Sequence, residues 1–556
     1  MKLRYSLVAL ACLSTSVIAT ETIELDQLSV TATKVARATK DVAQSIAVID
    51  EKEVSDKNIS NISEAINTIP GVIAESSSNS SSPRLIIRGA GLKARYGVRE
   101  IMVIKDGVPM TDPDSFTRFD FIDMQDVKAV EVQKGPGSIY AANTTGGVIQ
   151  LITKSVFDES DNRIKFGIGT DGSSQTNIKY TKALSQNDFA SFNFSTTAND
   201  NSWRDNNENS SKQLSLKYGH IFDDESTIES ELAYTESNMQ LPASMTEAEF
   251  KEFKSSGEQK DTSSAWQNSA RDSKILFFNS KYEKEFGNLT FKPRIYFNTW
   301  EHFHPVTSAI NDSDDNNTYG TDIEFNYKHE LFSKEDMLVF GLTAKQDKSN
   351  DAKKYAYAEF NTVAGPSTAI SETLSDKKGA LINTEDSTST LYGFYIQESL
   401  KPSQNTILDI GVRVDKVKFD VTGNEILEYN WSGFGGDTYK TGDGEYSIQE
   451  SYSLFSPRVG LNYALNDTTS IYSSIASANQ APTDNELKTN RVEGKGSLDK
   501  TESVNYEIGL KNRSNGYSYD IAIYQNDVKD EVTATKQGFT TYYANAGKTQ
   551  KRGLEI

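Results

Sequence analysis

The segment SVNYEIGLK, Ser503–Lys511, decides how this chain is read. Tyr506, Ile508 and Leu510 share one parity, while Glu507, Gly509 and Lys511 share the other. A period of two over such a stretch is a β-strand with one apolar and one polar face. RIKFGIGT (163–170) repeats the pattern, with Ile164, Phe166 and Ile168 opposite Lys165, Gly167 and Gly169. FASFNFS, LTFKPRIYFNTW and TDIEFNYKHEL follow suit. The connections alternate in length. Short turns are expected near 186–187, 223–224, 287–288, 333–334, 403–404, 466–467 and 514–515. Long polar loops are expected at 199–211, 239–271, 305–316, 350–387, 421–451, 478–501 and 535–548, after a short first loop at 171–175. Short turns at one end and long loops at the other are the signature of a transmembrane β-barrel. A soluble sandwich would not segregate loop lengths so regularly.

The pattern gives about 15 complete strands and a further one beginning at KTQKRGLEI. The sequence then stops at Ile556 in mid-strand. An open apolar edge invites aggregation, so the expectation is a barrel truncated before its last strands.

Composition points the same way. Hydrophobic residues make up 36% and mean hydropathy is -0.55, which argues against a helical membrane protein. No run of about 18 apolar residues follows the N-terminus. Yet Tyr and Phe number 26 each, which suits strands facing lipid on one side and water on the other. The start, MKLRYSLVALACLSTSVIAT, has basic Lys2 and Arg4, a short apolar run, and Val17 and Ala19 at the spacing of a signal-peptidase site. A signal peptide over 1–19 is expected. It contains Cys12, the chain's single cysteine, so the mature protein would hold no disulfide. The formal charge of -20 argues against a nucleic-acid partner.

Residues 20–47 lack a core-forming pattern and carry the extended stretch LDQLSVTATK. Residues 48–155 read as a small α/β unit. In NISEAINTIPGV, Asn61 can cap a helix, Ile62, Ala65, Ile66 and Ile69 fall on one face, and Pro70-Gly71 ends it. Short Val- and Ile-rich strands follow in RLIIRG, EIMVIKDGVP, VKAVEVQKG and GGVIQLITK. Gly135, Gly137, Gly146 and Gly147 permit tight turns and close backbone approach. The glycine-rich stretch lacks the Gly-Lys-Ser/Thr ending of a nucleotide-binding loop. The barrel occupies 156–556.

In this order and spacing, LSVTA, IPGV, LIIRGAG, VIKDGVP, VEVQKGPGSIYAANTTGGVIQLITK, FSPRVGLNY, SIASANQAPTDNEL, TESVNYEIGLK and KRGLEI resemble a TonB-dependent outer-membrane receptor of the ferric-siderophore type. The resemblance implies an N-terminal plug inside a barrel of about 22 strands, about six of them missing here. Leu28, Ser29, Val30, Thr31 and Ala32 resemble the TonB box, an extended segment able to add to a partner's sheet edge. Arg88 and Lys134 match basic plug positions that meet two barrel glutamates in similar receptors, and Glu507 and Glu555 match those glutamates. Lys134 stands where the family commonly has Arg, so a two-pronged fork is lost there. Asn479-Gln480 stands where an aromatic-Arg pair is common.

Lys93, Arg95, Tyr96 and Arg99 in GAGLKARYGVRE, with Arg118 and Phe119 in MTDPDSFTRF, are candidate apical contacts for an anionic chelate. His302 and His304 in HFH fall on one face and could hold heme iron or a metal, although an ordinary strand pattern is the commoner reading. Asp312, Asp314 and Asn316 have calcium-like spacing but lack the Gly and Glu of an EF loop. No nucleophile–base pair or metal-ligand cluster supports catalysis, and neither a catalytic metal nor a cofactor is expected. The expectation is therefore TonB-dependent uptake of a ferric siderophore by a monomer set in outer-membrane lipid. The alternatives are uptake of heme, cobalamin, copper or another scarce nutrient, and a non-transport surface adhesin. With the TonB box so near the predicted cleavage site, no extra signalling domain is expected.

Overall fold

The computed structural model describes residues 28–29, 34 and 36–556, apart from 76–82, 95–97, 113–116, 118, 120–121, 137–138, 140, 160–161, 260–262, 333, 515 and 538–539. The predicted leader lies outside the described residues. So do Val30, Thr31 and Ala32 of the LSVTA segment, together with Arg95, Tyr96, Arg118 and Gly137.

From Arg163 onward, 16 strands form one continuous antiparallel sheet, each hydrogen-bonded to its sequence neighbour in the sheet. Strands Arg163–Ile168 and Lys548–Glu555 stand at its two ends. Side-chain alternation sets the faces. In Thr501–Ser514, Tyr506 and Ile508 are exposed while Glu507, Gly509 and Lys511 are buried. Ile164, Phe166, Tyr234, Ile295, Tyr319, Phe394 and Ile523 join the exposed apolar face. Phe222, Phe286, Phe332 and Tyr517 are also exposed and stand beside the short turns, an aromatic girdle of the kind found at a membrane interface.

The seven short turns fall where the sequence places them. The long loops do not all do so. The segment expected as a loop at 305–316 is instead a tight hairpin, with Val306 paired to Ala309 between strands Leu289–Val306 and Ala309–Glu330. Strands Lys378–Ser403 and Tyr439–Ala464 each run 26 residues, well into the segments expected as loops at 350–387 and 421–451. Beyond the bilayer no apolar face is required. Backbone groups there pair regardless of side chain, so polar sequence continues the ladder.

The N-terminal unit forms a five-stranded sheet in the order Ile46–Asp50, Val127–Lys134, Gly147–Thr153, Ile101–Lys105, Val108–Pro109. Its one parallel pair joins Ile101–Lys105 to Gly147–Thr153. Asn61 caps the helix Ile62–Ile66 by accepting from the Glu64 N–H, as its sequence suggests. The helix buries Ile62, Ala65 and Ile66 against Val103, Val130, Val132, Ile149 and Leu151. Barrel residues Ile275, Phe277 and Tyr296 complete the same cluster, so the plug core ends on the barrel wall.

Candidate functional site

The barrel's buried face is polar, and it meets the plug through charged groups. Arg88, Lys134, Glu507 and Glu555 come together here. The Arg88 guanidinium donates from Nε and Nη2 to the two Glu555 oxygens, at 3.0 and 2.8 Å, and pairs through Nη1 with Glu507. It also lies 4.1 Å from the centroid of the Tyr524 ring. Glu507 additionally accepts from the Ser45 N–H at 2.8 Å and the Tyr472 hydroxyl at 2.6 Å. Lys134 reaches Glu555 at 3.1 Å and the Pro70 carbonyl at 2.6 Å.

Arg88 therefore holds both carboxylates, whereas Lys134 is a secondary contact to one. Burial opposes charge on Arg88, but Glu507 and Glu555 more than offset it and raise its pKa. For Lys134, burial and the adjacent guanidinium outweigh Glu555, so its pKa is depressed. Gly71 of IPGV explains how Glu555 comes so close. Its φ is +75°, and a methyl group there would overlap the Glu555 carboxylate.

A second cluster, of reversed polarity, went unmarked in the sequence. Asp126 of the plug accepts from Lys179 at 2.6 Å and Lys217 at 2.5 Å, both on the barrel wall. Burial alone would raise the Asp126 pKa; the Lys217 and Lys179 ammonium groups hold it down at about 2. Lys105 pairs with Glu231 at 2.9 Å, and Lys345 with Asp112 at 2.7 Å. Strand parity marks Lys179, Glu231 and Lys345 as inward-facing, but a single sequence does not reveal their partners.

The N-terminal segment is tied to the wall as well. Lys511 donates to the carbonyls of Thr39, Val42 and Gln44 at 2.8, 2.8 and 2.6 Å. Arg37 pairs with Asp409 at 3.1 Å, and Lys34 with Asp322 at 3.1 Å and Glu324 at 3.0 Å. Leu28–Ser29 forms a short antiparallel ladder with Arg37–Ala38.

At the other end of the plug, the two basic candidates among the described residues, Arg99 and Lys93, are already engaged. Arg99 is buried and pairs with Glu486 at 2.6 Å. Lys93 pairs with Glu531. Phe119, expected at the apex, packs instead in the plug core with Met110 and Met124. Gln480, one of the two departures in ANQAPT, accepts from Thr145 of the plug at 3.4 Å. His302 and His304 share a face with ring centroids 5.3 Å apart, and His304 Nδ1 lies 2.7 Å from the Ala270 carbonyl. Asp312, Asp314 and Asn316 lie inside the strand Ala309–Glu330 rather than in a loop; Asp312 pairs with Lys378, and Asn316 donates to the Trp300 carbonyl at 2.8 Å. Alternate side chains along a strand stand roughly 7 Å apart and do not converge on one point, which removes the calcium-loop geometry.

Family models match both parts of the chain: TonB dependent receptor-like, beta-barrel, over 157–556, and TonB-dependent Receptor Plug Domain over 38–148. The chain belongs to the TonB-dependent receptor family. Members of this family are outer-membrane proteins of Gram-negative bacteria, receptors and transporters rather than enzymes, and the exposed apolar face described above fits that location. Curated relatives include the vitamin B12 transporter BtuB of Vibrio vulnificus (strain CMCP6), 26% identical over 161 residues, and the rhizobactin receptor of Rhizobium meliloti (strain 1021), 29% identical over 135 residues. Those alignments take in 29% and 23% of this chain and span 26% and 17% of the relatives' own lengths. The fold is also that of the pyoverdine receptor FpvA of Pseudomonas aeruginosa PAO1, with a TM-score of 0.74, 17% identity and coverage of 95% of this chain and 76% of that one. The ferric-catecholate import receptor Fiu of E. coli K12 in its closed form gives 0.70, 16%, 93% and 78%.

Proposed function

We propose that this TonB-dependent receptor carries a ferric siderophore across the outer membrane, working as a monomer in outer-membrane lipid and energised by TonB through residues 28–32. The observation that carries this reading is a plug held in the lumen mainly by polar and ionic contacts, with a small apolar contact at Ile275, Phe277 and Tyr296. Such an interface releases without exposing a large apolar surface to water, unlike a hydrophobic core. The outer membrane has no nucleotide or ion gradient of its own, so force must arrive by pulling on an extended segment. In this reading Arg88, Lys134, Glu507 and Glu555 latch the plug, and residues 34–45 are the strap that transmits the pull. The siderophore receptors among its relatives and structural neighbours favour iron as cargo. The B12 transporter among the curated relatives keeps cobalamin uptake as the second reading.

The test is growth of a deletion strain under iron limitation on a panel of ferric siderophores, heme and cobalamin, with and without the gene restored. Gene-dependent growth on one ferric chelate supports the proposal. Dependence on cobalamin alone favours the second reading. Independence from every iron source overturns the first.

A further inference from the structure

The helix Asp484–Val492 touches three parts of the protein at once, the plug, the wall and a hairpin. Glu486 pairs with Arg99 of the plug. Lys488 pairs with Glu385 of the wall at 2.7 Å. Asn490 donates to the Tyr543 carbonyl at 2.9 Å and accepts from the Tyr543 N–H at 2.7 Å, on the hairpin of strands Val532–Gln537 and Thr540–Asn545. Just before the helix, the Ala481 N–H donates to Asn143 of the plug at 2.6 Å. Beneath it, Ala481, Leu487, Leu498 and Val532 pack on Val417 and Phe419. The hairpin is tied down in turn at its base, where Glu531 pairs with Lys93 of the plug and lies 3.6 Å from Lys551. The segment 481–500 and this hairpin thus form a lid over the plug apex, anchored to it by the ion pairs of Arg99 and Lys93 and by the Ala481–Asn143 hydrogen bond.

We propose that this lid is opened by anion exchange: acidic groups of an incoming chelate take Arg99 and Lys93 from Glu486 and Glu531, Glu486 returns to water with its helix, and Glu531 keeps Lys551 and the Thr549 hydroxyl as partners. The inference rests on the uptake reading and narrows it to polyanionic ligands. Breaking a buried pair without a replacement strands an uncompensated charge, which holds the lid shut in the absence of ligand. Replacing one carboxylate by another anion avoids that penalty. A cationic or neutral chelate offers no such exchange.

The test places a nitroxide label at Asn485→Cys, an exposed position on the lid helix in a chain whose single native cysteine is Cys12 of the predicted leader. The purified full-length receptor is examined with two probes, a trianionic ferric tris-catecholate and a ferric tris-hydroxamate of net positive charge. Glu486→Gln is a mild change, because Gln at the third helical position can still accept from the Thr483 N–H and keep the capping box. The tris-catecholate is expected to mobilise the label and the tris-hydroxamate to leave it immobile. The Glu486→Gln/Glu531→Gln variant is expected to show a mobile label with no probe present and to bind the tris-catecholate about tenfold tighter, having lost its internal competitors. Arg99→Gln should free the label without that gain, and Arg99→Lys should restore immobility. A label as immobile in the double variant as in the parent overturns the proposal, as does tight tris-catecholate binding under an immobile lid. If neither probe binds, the uptake reading is what fails; the label in the double variant still decides whether these ion pairs hold the lid.

Discussion

Replacing Arg88 by Gln isolates the group on which the plug–barrel latch depends. The substitution leaves Glu507 buried and Glu555 half-buried and takes away the guanidinium that pairs with both. Glu507 keeps its bonds from Ser45 and Tyr472, and Glu555 keeps Lys134, so neither carboxylate is wholly abandoned. Removing one partner of a buried pair typically costs about 3–5 kcal/mol, and these residual bonds place the cost near the lower end, about 3 kcal/mol. A domain of this size unfolds in urea with a slope of about 1–3 kcal/mol per molar, so the midpoint of plug unfolding should fall by roughly 1–3 M. The assay is urea titration of the purified receptor in detergent, read from protease sensitivity of the plug while the barrel stays folded. Lys134→Gln should shift the midpoint by less than half as much, since Lys134 contacts one carboxylate at 3.1 Å and otherwise a carbonyl. A shift for Arg88→Gln no larger than that for Lys134→Gln would refute the assignment of the latch to Arg88.

Other outcomes follow from the same interface. The folded-state pKa of Asp126, held at about 2, lies below the ordinary value of about 3.9, so its contribution is complete above pH ~4 and disappears as pH falls toward 2. The gap of nearly two units is worth about 2–3 kcal/mol, so the stability difference between the parent and Asp126→Asn should be largest at pH 6 and close to nil at pH 2. Lys511→Met takes the ammonium donor from three buried carbonyls, of which Thr39 keeps the Val42 N–H at 3.4 Å, and at a net cost of about 3 kcal/mol it should speed hydrogen exchange across residues 39–46 roughly a hundredfold. Unchanged exchange would mean that Lys511 does not secure the strap.

Much of this interface is legible in the sequence because strand parity is a local property. Glu507 and Lys511 share a face in SVNYEIGLK, and both are found buried there. Parity does not name partners, since pairing across hundreds of residues is set by how the plug sits in the lumen. Lys511 meets backbone carbonyls, which no side-chain pattern announces, and Asp126 reverses the polarity that the Arg88 motif leads one to expect. The error at 305–316 has a local cause. Polar residues beyond the bilayer look like loop but still carry a ladder, so the Asp-rich run with calcium-like spacing is strand. The apical basic residues carry no local sign of the loops that fold over them. Glu486 and Glu531 come from far along the chain and claim Arg99 and Lys93 before any ligand arrives.

The central claim is that a pull on the LSVTA segment drives uptake, and the most direct measurement is radioiron accumulation from the chelate that supports growth. The deletion strain would carry either the parent gene or Val30→Pro, which removes one backbone donor and disrupts strand addition in this segment. The predicted result is normal chelate binding at the cell surface by both and accumulation by the parent alone. Equal accumulation by Val30→Pro would contradict the account.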